Sequence, residues 1–165
     1  MQGTIIQLST SLGGLPKREV SGGRFISFDG LEGDRQAHPE FHGGLIQAVL
    51  IVAAEVVDEL VGKGYPVFYG ALGENLTTRG MSIRDLRIGD QLRAGGATLE
   101  ITKPRSPCLQ LDVYGPAIKQ EIYDRGVKAG DHSSPRWGMS GFYARVIQPG
   151  PVHPDDNITL LAVLS

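Results

Sequence analysis

The segment Gln91-Leu92-Arg93-Ala94-Gly95-Gly96-Ala97-Thr98-Leu99-Glu100-Ile101-Thr102 decides the reading of the fold. Two alternating runs, Gln91 to Arg93 and Thr98 to Thr102, flank a Gly-Gly pair that suits the positive backbone angles of a hairpin turn. Further runs of alternating or β-branched residues lie on either side: Thr4 to Leu8, Arg24 to Phe28, Phe142 to Ile147 and Ile158 to Val163. Gly and Asp punctuate them, as at Gly89-Asp90 and Gly150-Pro151. Short strands joined by tight turns predict a mainly β chain closed into a barrel.

Two helical segments interrupt the pattern. The stretch from Ile46 is largely apolar, and Ala48 to Val52 reads as a buried strand. Ala53 to Val61 then places Val56, Val57, Leu60 and Val61 at helical spacing before Gly62. Pro116 followed by Ala117 to Lys128 predicts a second helix, with proline in its first turn and a cation near its end. Both helices are expected at the periphery of the β body.

Composition narrows the function classes. The 165 residues carry 16 basic and 18 acidic side chains, a net charge of −2, so no global field is available to hold duplex nucleic acid. The longest apolar run, Ala48 to Ala54, has seven residues, against roughly 18 to 20 for a membrane span. The opening Met-Gln-Gly-Thr-Ile-Ile lacks a basic segment leading into a long apolar one, which predicts a cytoplasmic protein. Glycine, at 23 of 165 residues, is about twice its usual share of roughly 7% and implies many turns. No linker or charge block divides residues 1–165, so one domain is expected.

The single cysteine, Cys108, cannot form an internal disulfide. It stands in Lys103-Pro104-Arg105-Ser106-Pro107-Cys108, after a predicted strand and beside two prolines and two cations. Prolines stiffen such a loop, and nearby cations favour the thiolate, which is a nucleophile or a soft metal ligand. The competing reading is an inert, buried, small apolar residue.

Other islands carry chemistry less sharply. Gly30-Leu31-Glu32-Gly33-Asp34-Arg35 and His42-Gly43-Gly44 could bring backbone amides close to an anion, with Asp34 and Arg35 positioning the loop or a ligand; tight turns explain them equally well. His38-Pro39-Glu40-Phe41-His42 does not read as a zinc helix, because Pro39 interrupts the pair and no third ligand is evident. Glu74 and Asn75, in Gly73-Glu74-Asn75-Leu76-Thr77, would orient a ligand or satisfy nearby backbone. Arg136 and Arg145 flank a glycine-rich entry to a strand and would suit a phosphate or a carboxylate partner. No P-loop, nucleophile elbow or dinucleotide fingerprint is present.

Taken in order, Gly33-Asp34, His42-Gly43-Gly44, Gly73-Glu74-Asn75-Leu76, Ile88-Gly89-Asp90, Arg105-Ser106-Pro107-Cys108 and Gly141-Phe142-Tyr143-Ala144-Arg145-Val146 resemble the MOSC domain family, named for the C-terminal domain of molybdenum cofactor sulfurases. The resemblance runs from about Gly30 to Leu161. It implies a β-barrel with a few short peripheral helices, and binding of the molybdenum cofactor, molybdopterin. It further implies that Cys108 is a metal ligand and the catalytic residue, with His42, Gly43, Gly44, Glu74 and Asn75 near the pterin. Arg105, Arg136 and Arg145 become candidates for its phosphate. Amidoxime-reducing relatives reduce small N-hydroxylated molecules with electrons from a separate flavin or haem protein. The alternative is a carrier that holds the cofactor, or a persulfide on Cys108, alongside a sulfurase. At Asp155-Asp156 the family often shows Gly-Asp, which predicts a turn built differently here.

Overall fold

The computed structural model describes residues 1–35 and 45–161. His38, His42, Gly43 and Gly44 therefore lie outside the described residues. Seven strands close a barrel: β1 (Gln2–Thr10), β5 (Val49–Ala53), β6 (Leu76–Arg79), β7 (Gln91–Ala94), β8 (Ala97–Pro104), β9 (Phe142–Gln148) and β11 (Asn157–Leu160). Their order around the wall is β1-β6-β5-β9-β8-β7-β11, and β11 pairs back onto β1 with Gln2 opposite Thr159. The β5–β6 pair is parallel and the others are antiparallel. A short β2 (Arg18–Glu19) extends β1, while β3 (Arg24–Ser27), β4 (Gly30–Leu31) and β10 (Gly150–Val152) form a separate three-stranded sheet.

Side-chain alternation places the barrel core. Along the 91–102 hairpin, Leu92, Ala94, Ala97, Leu99 and Ile101 are buried while Arg93 is exposed. They meet Ile5, Leu8, Leu76, Trp137, Phe142 and Ala144 in the interior. The indole N–H of Trp137 donates to the Leu86 carbonyl at 2.9 Å, so the polar end of this large buried ring is satisfied. Gly95 takes φ of +56° at the hairpin turn, as the Gly-Gly pair requires.

The parallel β5–β6 pair needs a crossover, and α1 (Ala54–Gly62) provides it. Val56, Val57 and Leu60 turn inward, and Glu55, Asp58 and Glu59 face solvent. The helix includes Gly62 and the reversal comes at Gly64, with φ of +95°. A second apolar layer forms outside the wall, where Val52, Val57 and Leu60 meet Leu72, Leu111, Ile118 and Ile122.

The expected helix over Ala117 to Lys128 is instead two pieces, α2 (Ile118–Ile122) and α3 (Arg125–Lys128). Tyr123 and Asp124 are extended between them, and the Asp124 carboxylate accepts from the Val127 N–H at 2.9 Å. An aspartate used as a helix N-cap ends one helix by starting another. Gly150-Pro151, expected only as a turn, contributes to β10 and pairs with β3. At Asp155 the backbone takes φ of +74°. Aspartate therefore adopts the left-handed conformation that glycine favours.

The wall is irregular at one end of β8. The β8–β9 register shifts between Ile101 and Lys103, pairing Ile101 with Ala144 but Lys103 with Tyr143. Thr102 is the extra residue, and its hydroxyl donates to the Ile46 and Tyr143 carbonyls at 2.5 and 3.2 Å. A bulge of this kind re-aims the residues beyond it.

Candidate functional site

Beyond the bulge, β8 ends at Pro104 and the Arg105 N–H donates to the Gly141 carbonyl at 2.8 Å. The Ser140 hydroxyl holds the Arg105 carbonyl at 2.5 Å. The chain then runs through Ser106 and Pro107 to half-buried Cys108, whose carbonyl accepts from Leu111 N–H at 3.1 Å to open the 3-10 turn Leu109–Tyr114. Both ends of the Arg105–Cys108 loop are thus anchored by backbone bonds. The loop borders a cavity of about 450 Å³ on the outer side of the barrel wall.

Arg105, Cys108, Asn75, Asp34, Lys17, Arg35, Leu50, Leu15 and Tyr143 line this cavity. Asn75 organises one side: its Oδ1 accepts from Leu50 N–H at 3.1 Å, and its Nδ2 donates to the Ser9 carbonyl at 3.3 Å and to Asp34 Oδ2 at 2.9 Å. Asp34 Oδ2 also takes the Lys17 ammonium at 2.5 Å, and Oδ1 accepts from the Ser11 N–H at 3.0 Å. Lys17 and Asp34 are both almost fully buried at the side chain, a pair whose removal from water is offset only because the carboxylate gains these further donors.

Arg105 is arranged differently. The residue is 4% exposed, and its Nη1 has no hydrogen-bond partner among the described residues. Fully buried Glu74 supplies an opposing carboxyl, but burial pushes that carboxyl up, against hydrogen bonds from backbone and from Thr77 and against the field of Arg105. Its oxygens accept from Leu72 N–H at 3.2 Å and from the Thr77 hydroxyl at 3.3 Å. A carboxyl held toward its neutral form compensates a cation poorly. The cavity therefore presents a buried guanidinium with unspent donor capacity beside a thiol.

Tyr143 forms part of the opposite wall. Its β9 neighbours Phe142 and Ala144 enter the barrel core, so its own ring turns to the cavity side. Burial pushes its phenol up, while the charge of Arg105 pulls it down. The Lys103 ammonium lies 5.7 Å from the ring centroid, within cation–π range.

Of the residues singled out from sequence, the structure brings Cys108, Arg105 and Asn75 into one cavity, with Asp34 and Arg35 beside them. Glu74 lies behind this wall without lining it. Arg136 and Arg145 are elsewhere: Arg136 Nε donates to the Gln120 carbonyl at 2.5 Å, and Arg145 pairs with Glu100 at 2.9 Å. Each has a partner outside the cavity, so neither joins Arg105. Lys17 and Tyr143 were not singled out as site residues. Only the in/out alternation around Phe142-Tyr143-Ala144 hinted at Tyr143, and nothing local marked Lys17.

Among the described residues no group of three or more His, Cys, Asp or Glu side chains could hold a metal ion. Among the described residues, Cys108 therefore belongs to no such group. Likewise among the described residues, no helix is long and apolar enough to cross a membrane.

The family model described as MOSC domain matches residues 38–159. The chain is 32% identical over 152 residues to the uncharacterized protein YflK of Bacillus subtilis, covering 90% of this chain and 63% of YflK. It is 30% identical over 159 residues to protein YiiM of Escherichia coli, covering 92% of this chain and 65% of YiiM. It thus spans just under two thirds of the length of these curated relatives. A reductase of Gibberella moniliformis is 31% identical over 153 residues, which cover 88% of this chain and 25% of the reductase. The crystal structure of YiiM from Escherichia coli superposes with a TM-score of 0.70 at 24% identity, covering 99% of this chain and 71% of that one, which establishes the shared fold.

Proposed function

Because the chain belongs to the MOSC domain family, we propose that its cavity binds the molybdenum cofactor and that the protein reduces small N-hydroxylated compounds. The observation that carries this reading is Arg105, a buried guanidinium with an unpartnered Nη1, lining the same cavity as Cys108. Molybdopterin combines a phosphate with a dithiolene, and this pairing of guanidinium and thiol suits those two groups. Arg105 would hold the phosphate, Cys108 would ligate the metal, and Asn75 with Asp34 and Lys17 would set the shape of the pterin wall. When bound, the group supplies two-electron redox chemistry. The protein's part is to orient the substrate and exclude bulk water.

The net reaction is R–NHOH + 2 e⁻ + 2 H⁺ → R–NH₂ + H₂O. Its electrons would come from a separate flavin or haem protein. Similarity to a reductase supports a redox role, although this chain matches only 25% of that protein.

The test is molybdenum and pterin content after production in a host that makes the cofactor, wild type beside Cys108→Ser. Near-stoichiometric metal and pterin in wild type, with metal lost from the variant, supports the assignment. Wild type that holds neither, even after reconstitution, overturns it. A persulfide on Cys108 by mass spectrometry would then favour a sulfur carrier, a role compatible with a half-buried thiol at a cavity wall.

A further inference from the structure

Tyr143 stands at a cavity wall with its phenol proton uncommitted. The bulge at Thr102 makes Lys103 the β8 partner of Tyr143, and Arg105, two residues further on, lines the same cavity. A guanidinium can only donate, so Arg105 offers the phenol no acceptor. Among the described residues none takes the phenol proton: the Lys103 ammonium lies at the ring face, and Thr102 donates to the backbone carbonyl. Phe142 and Ala144 are committed to the barrel core on the other side of the strand. Cys108 borders the same cavity.

We propose that Tyr143 is a substrate-binding residue whose phenol donates a hydrogen bond to the hydroxyl oxygen of an N-hydroxylated molecule lying beside Cys108. The inference rests on the reaction class proposed for this cavity. It adds a means of distinguishing substrate from product, because the amine formed has lost the oxygen that the phenol would hold. Arg105, on the same cavity lining, would meet an anionic group of the cofactor while the phenol meets the substrate.

The experiment uses cofactor-loaded protein, without reductant so that nothing turns over, titrated calorimetrically with phenylhydroxylamine and with aniline. Wild type should bind phenylhydroxylamine more tightly than aniline. Tyr143→Phe, checked for unchanged pterin and metal content, should lose about five- to tenfold in affinity for phenylhydroxylamine, the range expected for one neutral hydrogen bond, and nothing for aniline. A variant that keeps wild-type affinity for both compounds, or loses equally for both, overturns the inference and leaves the reductase reading standing. Wild type that binds neither compound overturns the substrate class and this inference together.

A second readout needs no variant. The Raman Fermi doublet of tyrosine reports whether a phenol donates or accepts. Phenylhydroxylamine should shift it toward the donor pattern in wild type, and aniline should leave it in place; a doublet that does not move overturns the assignment.

Discussion

Asn75 Nδ2 and Asp34 Oδ2 are 2.9 Å apart, joining two loops 41 residues distant in sequence at the edge of the cavity. The amide also accepts from Leu50 N–H and donates to Ser9 O, so this one side chain ties β5, β1 and the Asp34 loop together. Asn75→Ala would leave the buried Leu50 N–H without its acceptor, which typically costs about 1–3 kcal/mol. Urea unfolding should show a lower midpoint with an unchanged slope. A midpoint unaltered within error would mean that the amide is dispensable.

The Lys17–Asp34 pair should respond asymmetrically. Asp34→Ala strands a nearly buried ammonium and two N–H donors, and losses of about 3–5 kcal/mol accompany such broken pairs. Lys17→Met should cost less, because the carboxylate keeps Ser11 N–H and Asn75 Nδ2. Equal losses in denaturant melts would contradict this ordering.

Arg105 should stabilise the ligand-bound protein at the expense of the free one. Its Nη1 lacks a partner among the described residues, and an underpaired buried charge carries a desolvation cost that its removal relieves. Arg105→Met should therefore melt at or above the wild-type temperature without ligand and should fail to retain pterin. A variant that melts much lower while still loading cofactor would refute both halves.

Glu74 gives the stability a pH dependence. Burial raises its folded-state pKa above the ordinary carboxylate value, so the folded state binds the proton more tightly than the unfolded chain does. The resulting stabilisation is complete below the unfolded pKa and is lost as pH rises through the raised folded value. Glu74→Gln cannot ionise and should lack this loss. Wild type minus variant stability should therefore fall with increasing pH, by at most about 1.4 kcal/mol per pH unit. A difference that is flat or rises with pH above the usual carboxylate range would show that Arg105 outweighs burial.

Gly141 admits no side chain. Its φ is +93°, and a Cβ would lie 2.6 Å from the Ile51 carbonyl oxygen. Gly141→Ala combines left-handed strain with a backbone clash and should cost about 2–4 kcal/mol. Since Gly141 O receives the Arg105 N–H, the thermal loss should be accompanied by reduced pterin retention. Full retention in a folded variant would uncouple the two.

Much of the barrel was legible because alternation and turn chemistry agree locally. The 91–102 hairpin and the passage from β5 into α1 both obey this rule. Strand β6 was hidden because Thr77 and Thr78 are buried polar residues, which blur the apolar/polar alternation. Two helices were read as one because Asp124 lies within a helical-looking run, although the Asp124-to-Val127 spacing is a capping signal. Within the site, Cys108 and Arg105 stood out because they share one loop. Lys17, Asp34 and Asn75 converge only through barrel closure, and Tyr143 turns to the cavity in the register set by the Thr102 bulge. Neither is encoded in any short window.

The pairing of Gln2 with Thr159 and of Ile158 with Ala94 also sets an order of events during synthesis. Strand β1 emerges before the other barrel strands, yet one of its edges waits for residues 157–160. Until then the unpaired edges of β1 and β7 remain open to other strands. Slowing translation ahead of β11 should therefore increase aggregation of the nascent chain.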